Sequence, residues 1–109
     1  MTIDTQLKTE TNRLIVAFRG TMTFHDYGTS DALLDRVVDQ IGASNGAIDL
    51  LVFDLAEVDL IDSHWLGMFV RALKRAQEKG AKVALRRPQS SVRRLLDLVQ
   101  FGRVFDIQD

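Results

Sequence analysis

Apolar and polar positions alternate, cluster and recur at different periods along this chain, and each change of period marks a predicted element. Ile3, Thr5, Leu7 and Thr9 alternate weakly and predict an edge strand. Thr11-Asn12 is a turn signal, and Leu14 to Phe18 follows as a more buried strand ending at Gly20, so the chain opens on a hairpin. From Thr23 the period changes. Thr23-Phe24-His25-Asp26 has T-x-x-D capping chemistry, and Leu33, Leu34, Val37, Val38 and Ile41 recur at helical spacing. Gly28 weakens the first turns of this helix, and Gly42 to Gly46 closes it with loop chemistry. Leu50 to Leu55 is a nearly continuous apolar run, the pattern of a central strand covered on both faces and flanked by helices.

A second helix is predicted from Asp62-Ser63, with Leu66, Phe69, Val70, Leu73 and Ala76 as its buried stripe. Lys79 lies in its last turn, and Gly80 suits the residue just past its end. Val83-Ala84-Leu85 is a short strand. Pro88 and Ser90-Ser91 then begin a third helix with the stripe Val92, Leu95, Leu96 and Val99, ended by Gly102. Val104 to Ile107 is a last short strand. The order ββαβαβαβ predicts an α/β fold: a mixed β-sheet with right-handed crossovers and helices packed on it.

Composition narrows the class. A chain of 109 residues with 46% hydrophobic and 27% charged side chains fits one compact domain, residues 1–109. The absence of cysteine excludes disulfides, thiolate catalysis and Cys-ligated zinc. Met1 to Glu10 lacks the apolar stretch of a signal peptide and no run is long enough to insert in a membrane, so a cytoplasmic location is expected. The net charge of −1 argues against nucleic acid as partner. Residues 1–60 hold four basic and ten acidic side chains, residues 61–109 ten basic and five acidic. The cations fall mostly on polar sides of predicted helices, so this split does not define a face.

Catalytic constellations are missing. His25 and His64 are far apart in sequence and in no metal-ligand spacing. Ser63 and His64 are adjacent, and neighbours on a helix point about 100° apart, so they make no nucleophile–base pair. Neither a G-x-S-x-G elbow nor a G-x-x-x-x-G-K-[ST] loop is present. Asp54, Glu57, Asp59 and Asp62 form an acidic cluster, read as one strand residue followed by solvated carboxylates of the turn before the helix. No enzyme, no metal and no cofactor is expected.

The informative stretch is Asp54 to Met68, where a buried strand leads through a short turn into a helix beginning on Asp62-Ser63. Gly67 lies inside that helix, where glycine costs roughly 1 kcal/mol against alanine. Its presence predicts close approach to another backbone or a flat patch for a partner.

The pattern strand-D-L-x-x-V-x-x-I-D-S-x-x-L-G resembles the STAS domain, and within it the anti-sigma factor antagonists. The opening hairpin, Lys79-Gly80-Ala81-Lys82-Val83, Pro88, Val92-Arg93-Arg94-Leu95-Leu96 and Phe101 agree, so the resemblance runs from about Arg13 to the end. It implies that Ser63 is phosphorylated by a serine kinase that is also an anti-sigma factor. A phosphatase would restore the unphosphorylated form, which binds the kinase and frees what it had sequestered. The implied docking face comprises Thr21, Thr23, Phe24, Asp62, His64, Trp65, Leu66 and Met68. Relatives commonly carry small residues where this chain has His64 and Trp65, and many carry Asp where it has Thr21-Met22-Thr23. Trp65 is either an interface anchor or a cover over the strand ends.

The chemistry suits such a switch. Phosphoserine adds about −1.5 to −2 charge, which the free N–H groups of a helix N-terminus tolerate and an apolar docking face does not. Two alternatives stand beside it: a STAS subunit of a lipid or anion transport complex acting by static docking, and a small-ligand-sensing STAS domain.

Overall fold

The computed structural model describes residues 4–23 and 27–109. Its elements are β1 (Asp4–Glu10), β2 (Arg13–Met22), α1 (Tyr27–Ala43), β3 (Leu50–Ile61), α2 (Ser63–Glu78), β4 (Lys82–Arg86), α3 (Ser90–Leu98), a 3-10 turn (Phe101–Arg103) and β5 (Asp106–Gln108). The predicted ββαβαβαβ order is the observed one. The strands form one mixed sheet in the order β1-β2-β3-β4-β5, with β1 antiparallel to β2 and every other pair parallel.

The buried residues of all three helices join one core with alternate residues of the strands, Leu14, Val16 and Phe18 from β2 and Leu51, Phe53 and Leu55 from β3. Aromatic rings fill its centre. Phe53 stacks on Phe69 at 4.8 Å, and Phe18 meets Trp65 edge-on at 5.7 Å. The other sheet face carries a small cluster of Ile15, Val52 and Ala84, to which no described helix contributes. β3 is therefore central and buried on both faces, as its apolar run predicts. The helices, however, cover only one of those faces.

β3 runs on to Ile61, past the predicted end at Leu55. Two register shifts explain why the extension does not read as a strand. Between Ala17↔Asp54 and Arg19↔Glu57, and again between Gly20↔Val58 and Thr21↔Leu60, β3 holds one more residue than β2. Each bulge resets the alternation, so the buried positions become Leu55, Val58 and Ile61. Gly20 has φ +107° beside the second bulge, a conformation that side chains other than glycine rarely adopt. Glu57 and Asp59 are thus exposed strand residues and not parts of a turn.

Beyond Asp54, β3 has lost its β4 neighbour, and α3 takes over that edge. Gln89 donates to the Ala56 carbonyl and Ser91 Oγ to the Asp59 carbonyl. Asp54 itself is buried and accepts from Arg86, Arg87 and the Ala56 N–H. Burial pushes this carboxyl up, but the Arg87 and Arg86 hydrogen bonds outweigh that and hold it below the usual carboxylate range.

The end of α2 matches its prediction. Gly80 at φ +83° follows the C-cap Lys79, its N–H donates to Gln77, and the Ala81 N–H donates to Ala76. The end of α3 does not. The helix stops at Leu98, Gln100 turns left-handed at φ 61°, and Val99 is exposed. The final strand begins at Asp106, after Val104. Among the described residues, no helix is long and apolar enough to cross a membrane.

Candidate functional site

β3 delivers the chain directly to α2 through one residue. Asp62 is the N-cap, extended at φ −106° and ψ 176°, and its carboxylate accepts the Trp65 N–H at 3.1 Å. Its own N–H donates to the Met22 carbonyl at 3.0 Å, pinning the start of α2 to the end of β2. Ser63 is therefore the first helical residue. It is exposed, and its hydroxyl makes no hydrogen bond to any described residue. Because Asp62 does the capping, the serine hydroxyl is free of that duty.

Around Ser63 the structure gathers part of the predicted face. Thr21 Oγ1 donates to Asp59 at 3.0 Å, and Thr21 pairs with Leu60 while Met22 pairs with Ile61. Thr23, Asp62 and Leu66 are half-buried in the same neighbourhood. Gly67, one turn on from Ser63, is exposed, and a Cβ placed on it would meet nothing within 4 Å. Of its two predicted roles, close backbone approach is thus excluded and the open patch is what the geometry provides. Phe24 lies outside the described residues.

Two members of that face belong elsewhere. Trp65 is 4% exposed and Met68 is fully buried. Both sit on the sheet-facing side of α2, so the predicted stripe, which began on Leu66, is rotated, and Leu66 and Val70 fall at its margin. Trp65 is a cover over the strands: its ring contacts Phe18, and its indole N–H has no hydrogen-bond partner among the described residues. His64 also turns inward on one side, with Nε2 2.8 Å from Oγ of the fully buried Ser30 on α1. The departures at His64 and Trp65 thus serve packing between the helices and the sheet.

The sequence reading missed Ser30 and Leu60. Ser30 carries no local signal, since its partner is in another element. Leu60 is 54% exposed beside the site, and its exposure follows from the β3 bulges. No group of three or more acidic or histidine side chains that could hold a metal exists among the described residues.

The STAS domain model matches residues 3–109 of the chain. No curated protein matches it. Among solved structures, it is similar to an anti-sigma factor antagonist from Mycobacterium paratuberculosis, with 22% identity, TM-score 0.70, and 98% of this chain and 86% of that one covered. It is similar to the phosphorylated form of the Bacillus cell-fate determinant SpoIIAA, with 13% identity, TM-score 0.69 and coverage of 95% and 90%. It is also similar to the STAS domain of a SulP transporter from Vibrio cholerae, with 14% identity, TM-score 0.70 and coverage of 94% and 77%. The chain belongs to the STAS domain family.

Proposed function

We propose that this STAS domain is an anti-sigma factor antagonist working as a phospho-switch in the bacterial cytoplasm. Unphosphorylated, it binds a serine kinase that is also an anti-sigma factor; phosphorylation on Ser63 releases that partner, and a cognate phosphatase resets the switch. The observation that carries this reading is the free, exposed hydroxyl of Ser63 at the first position of α2. A phosphate there meets the positive end of the helix dipole, so the fold accepts it. The same charge joins Asp59 and Asp62 on the surface and opposes docking of a partner that fits Leu60, Leu66 and Gly67. The phosphorylated neighbour from Bacillus is consistent with a fold that tolerates the modification.

The test is incubation of the chain with its cognate kinase and ATP, followed by mapping of the phosphorylated residue. Modification at Ser63 is expected, and its absence while the kinase still binds would refute the switch. The likeness to a SulP transporter domain favours a second reading, static docking within a transport complex. That reading predicts partner binding with no dependence on Ser63.

A further inference from the structure

On the sheet face to which no described helix contributes, two adjoining cavities open beside Ala17. One, of about 350 Å³, is bordered by Gln6, Arg19 and Glu57, and the other, of about 230 Å³, by Asp54, Ala56, Glu57 and Arg87. Ala17 and Glu57 line both. The strand register brings these residues together. Phe18 points into the core against Phe53 and Phe69, so its neighbours Ala17 and Arg19 point to the opposite face. Gln6 of β1 and Asp54 of β3 stand beside Ala17 on that face. The methyl group of Ala17 leaves room that a larger side chain would fill. The first β3 bulge supplies the rest: without its extra residue Ala56 would stand opposite Arg19, and with it Glu57 does.

Opposite charges line this space without closing on each other. The buried Asp54 accepts from both Arg86 and Arg87, so one carboxylate serves two guanidinium groups and one positive charge is left over. Arg87 is exposed, and its backbone is left-handed at φ 55°, a conformation that costs any residue but glycine. Its N–H donates to the Gln108 carbonyl at 2.6 Å and its guanidinium is tied to Asp54, so the strained residue keeps its cation at the cavity wall. Glu57 lines the same cavity, yet among the described residues its ion pair is with Arg19, at 3.4 Å and with both partners exposed. Such a pair holds weakly and leaves the carboxylate available.

We propose that the two cavities form one binding site for a small α-amino acid with an acidic side chain. Its α-carboxylate bonds Arg87, its ammonium meets Glu57, and its side-chain carboxylate passes over Ala17 to Arg19 and Gln6. Glu57 would repel a simple anion, and the arginines a simple cation; a zwitterion satisfies both signs. The charges also balance. Arg19 and Glu57 cancel, Arg86, Arg87 and Asp54 leave one positive charge, and an acidic amino acid brings one negative charge. The site shares no residue with the proposed docking face around Ser63 and lies on the other side of the sheet, so it does not depend on the phospho-switch.

The probe is L-glutamate, titrated at constant ionic strength into the isotope-labelled chain and followed by amide chemical shifts. Glutarate, which lacks the ammonium, and L-norvaline, which lacks the second carboxylate, serve as controls. Glutamate is expected to shift the amides of Ala17, Arg19, Glu57 and Arg87 saturably, and to bind at least tenfold more tightly than either control. Glu57→Gln, an exposed change that the fold can carry, should weaken glutamate at least tenfold and erase its advantage over glutarate. Arg87→Gly removes the guanidinium and suits the left-handed backbone, and it should abolish the saturable shifts. If Arg87→Gly fails to fold, Glu57→Gln decides alone. Absence of saturable shifts at these amides, a control that binds as tightly as glutamate, or unchanged glutamate binding by Glu57→Gln would overturn the proposal.

Discussion

Along the flank of α2 that faces α1, the polar side chains are engaged: His64 with Ser30, Arg71 with Asp31 and Arg75 with Asp35. On the flank that starts at Ser63, the serine is exposed and hydrogen-bonds to no described residue, Gly67 opens a gap, Leu66 is half covered, and Lys74 has no ion pair among the described residues. One helix thus carries a finished surface and an unfinished one, separated by less than half a turn. The difference separates the side chains that hold α2 in the fold from those that the proposed partner would meet. A helix flank that packs internally satisfies its polar groups; one that receives another molecule leaves them exposed and smooth.

Substitutions should respect that division, beginning with the residues that root α2 in the core. Trp65→Ala should cost about 3–5 kcal/mol in denaturant unfolding, the cost of a large buried ring. Trp65→Phe should cost far less, about 1 kcal/mol or below, because the indole N–H it removes is unsatisfied. A small effect of Trp65→Ala would place the ring at the interface after all. Ser30→Ala, on the finished flank, should cost roughly 1–3 kcal/mol, since it strips a buried hydrogen bond from His64. Asp62→Ala removes the N-cap and should cost about 1 kcal/mol.

On the open flank the sign reverses. Gly67→Ala should stabilise the chain by roughly 0.5–1 kcal/mol, because its helical position has room for a methyl group. The same change should weaken partner binding, and a variant that is both more stable and fully active would remove Gly67 from the docking face.

Much of this division was legible in the sequence, and the rest was hidden for identifiable reasons. The element order, the Gly80 stop and the helix start at Asp62-Ser63 follow from local chemistry, which a single sequence displays. The extension of β3 to Ile61 was masked because two bulges convert a period of two into buried positions three apart. That spacing imitates neither a strand nor a solvated turn. The inward placement of Trp65 and Met68 depends on how α2 is rotated over the sheet. A shift of one position in the stripe moves a side chain by 100°. His64 reads as a surface or partly buried histidine, and its partner Ser30 becomes visible only once α1 is brought against it. Family resemblance, and not spacing, singled out Ser63 as the proposed switch. Its freedom from capping could be seen only once Asp62 was found in that role.

The most direct test of the account is calorimetric titration of the cognate anti-sigma factor kinase with the native chain, Ser63→Ala and the Ser63-phosphorylated chain, with thermal unfolding of each measured alongside. The account predicts that the native chain and Ser63→Ala bind alike and that phosphorylation weakens binding by about a hundredfold or more, roughly 2.7 kcal/mol. All three should unfold within a few degrees of one another. Equal affinities across the three, or loss of binding that accompanies loss of the fold, would contradict it.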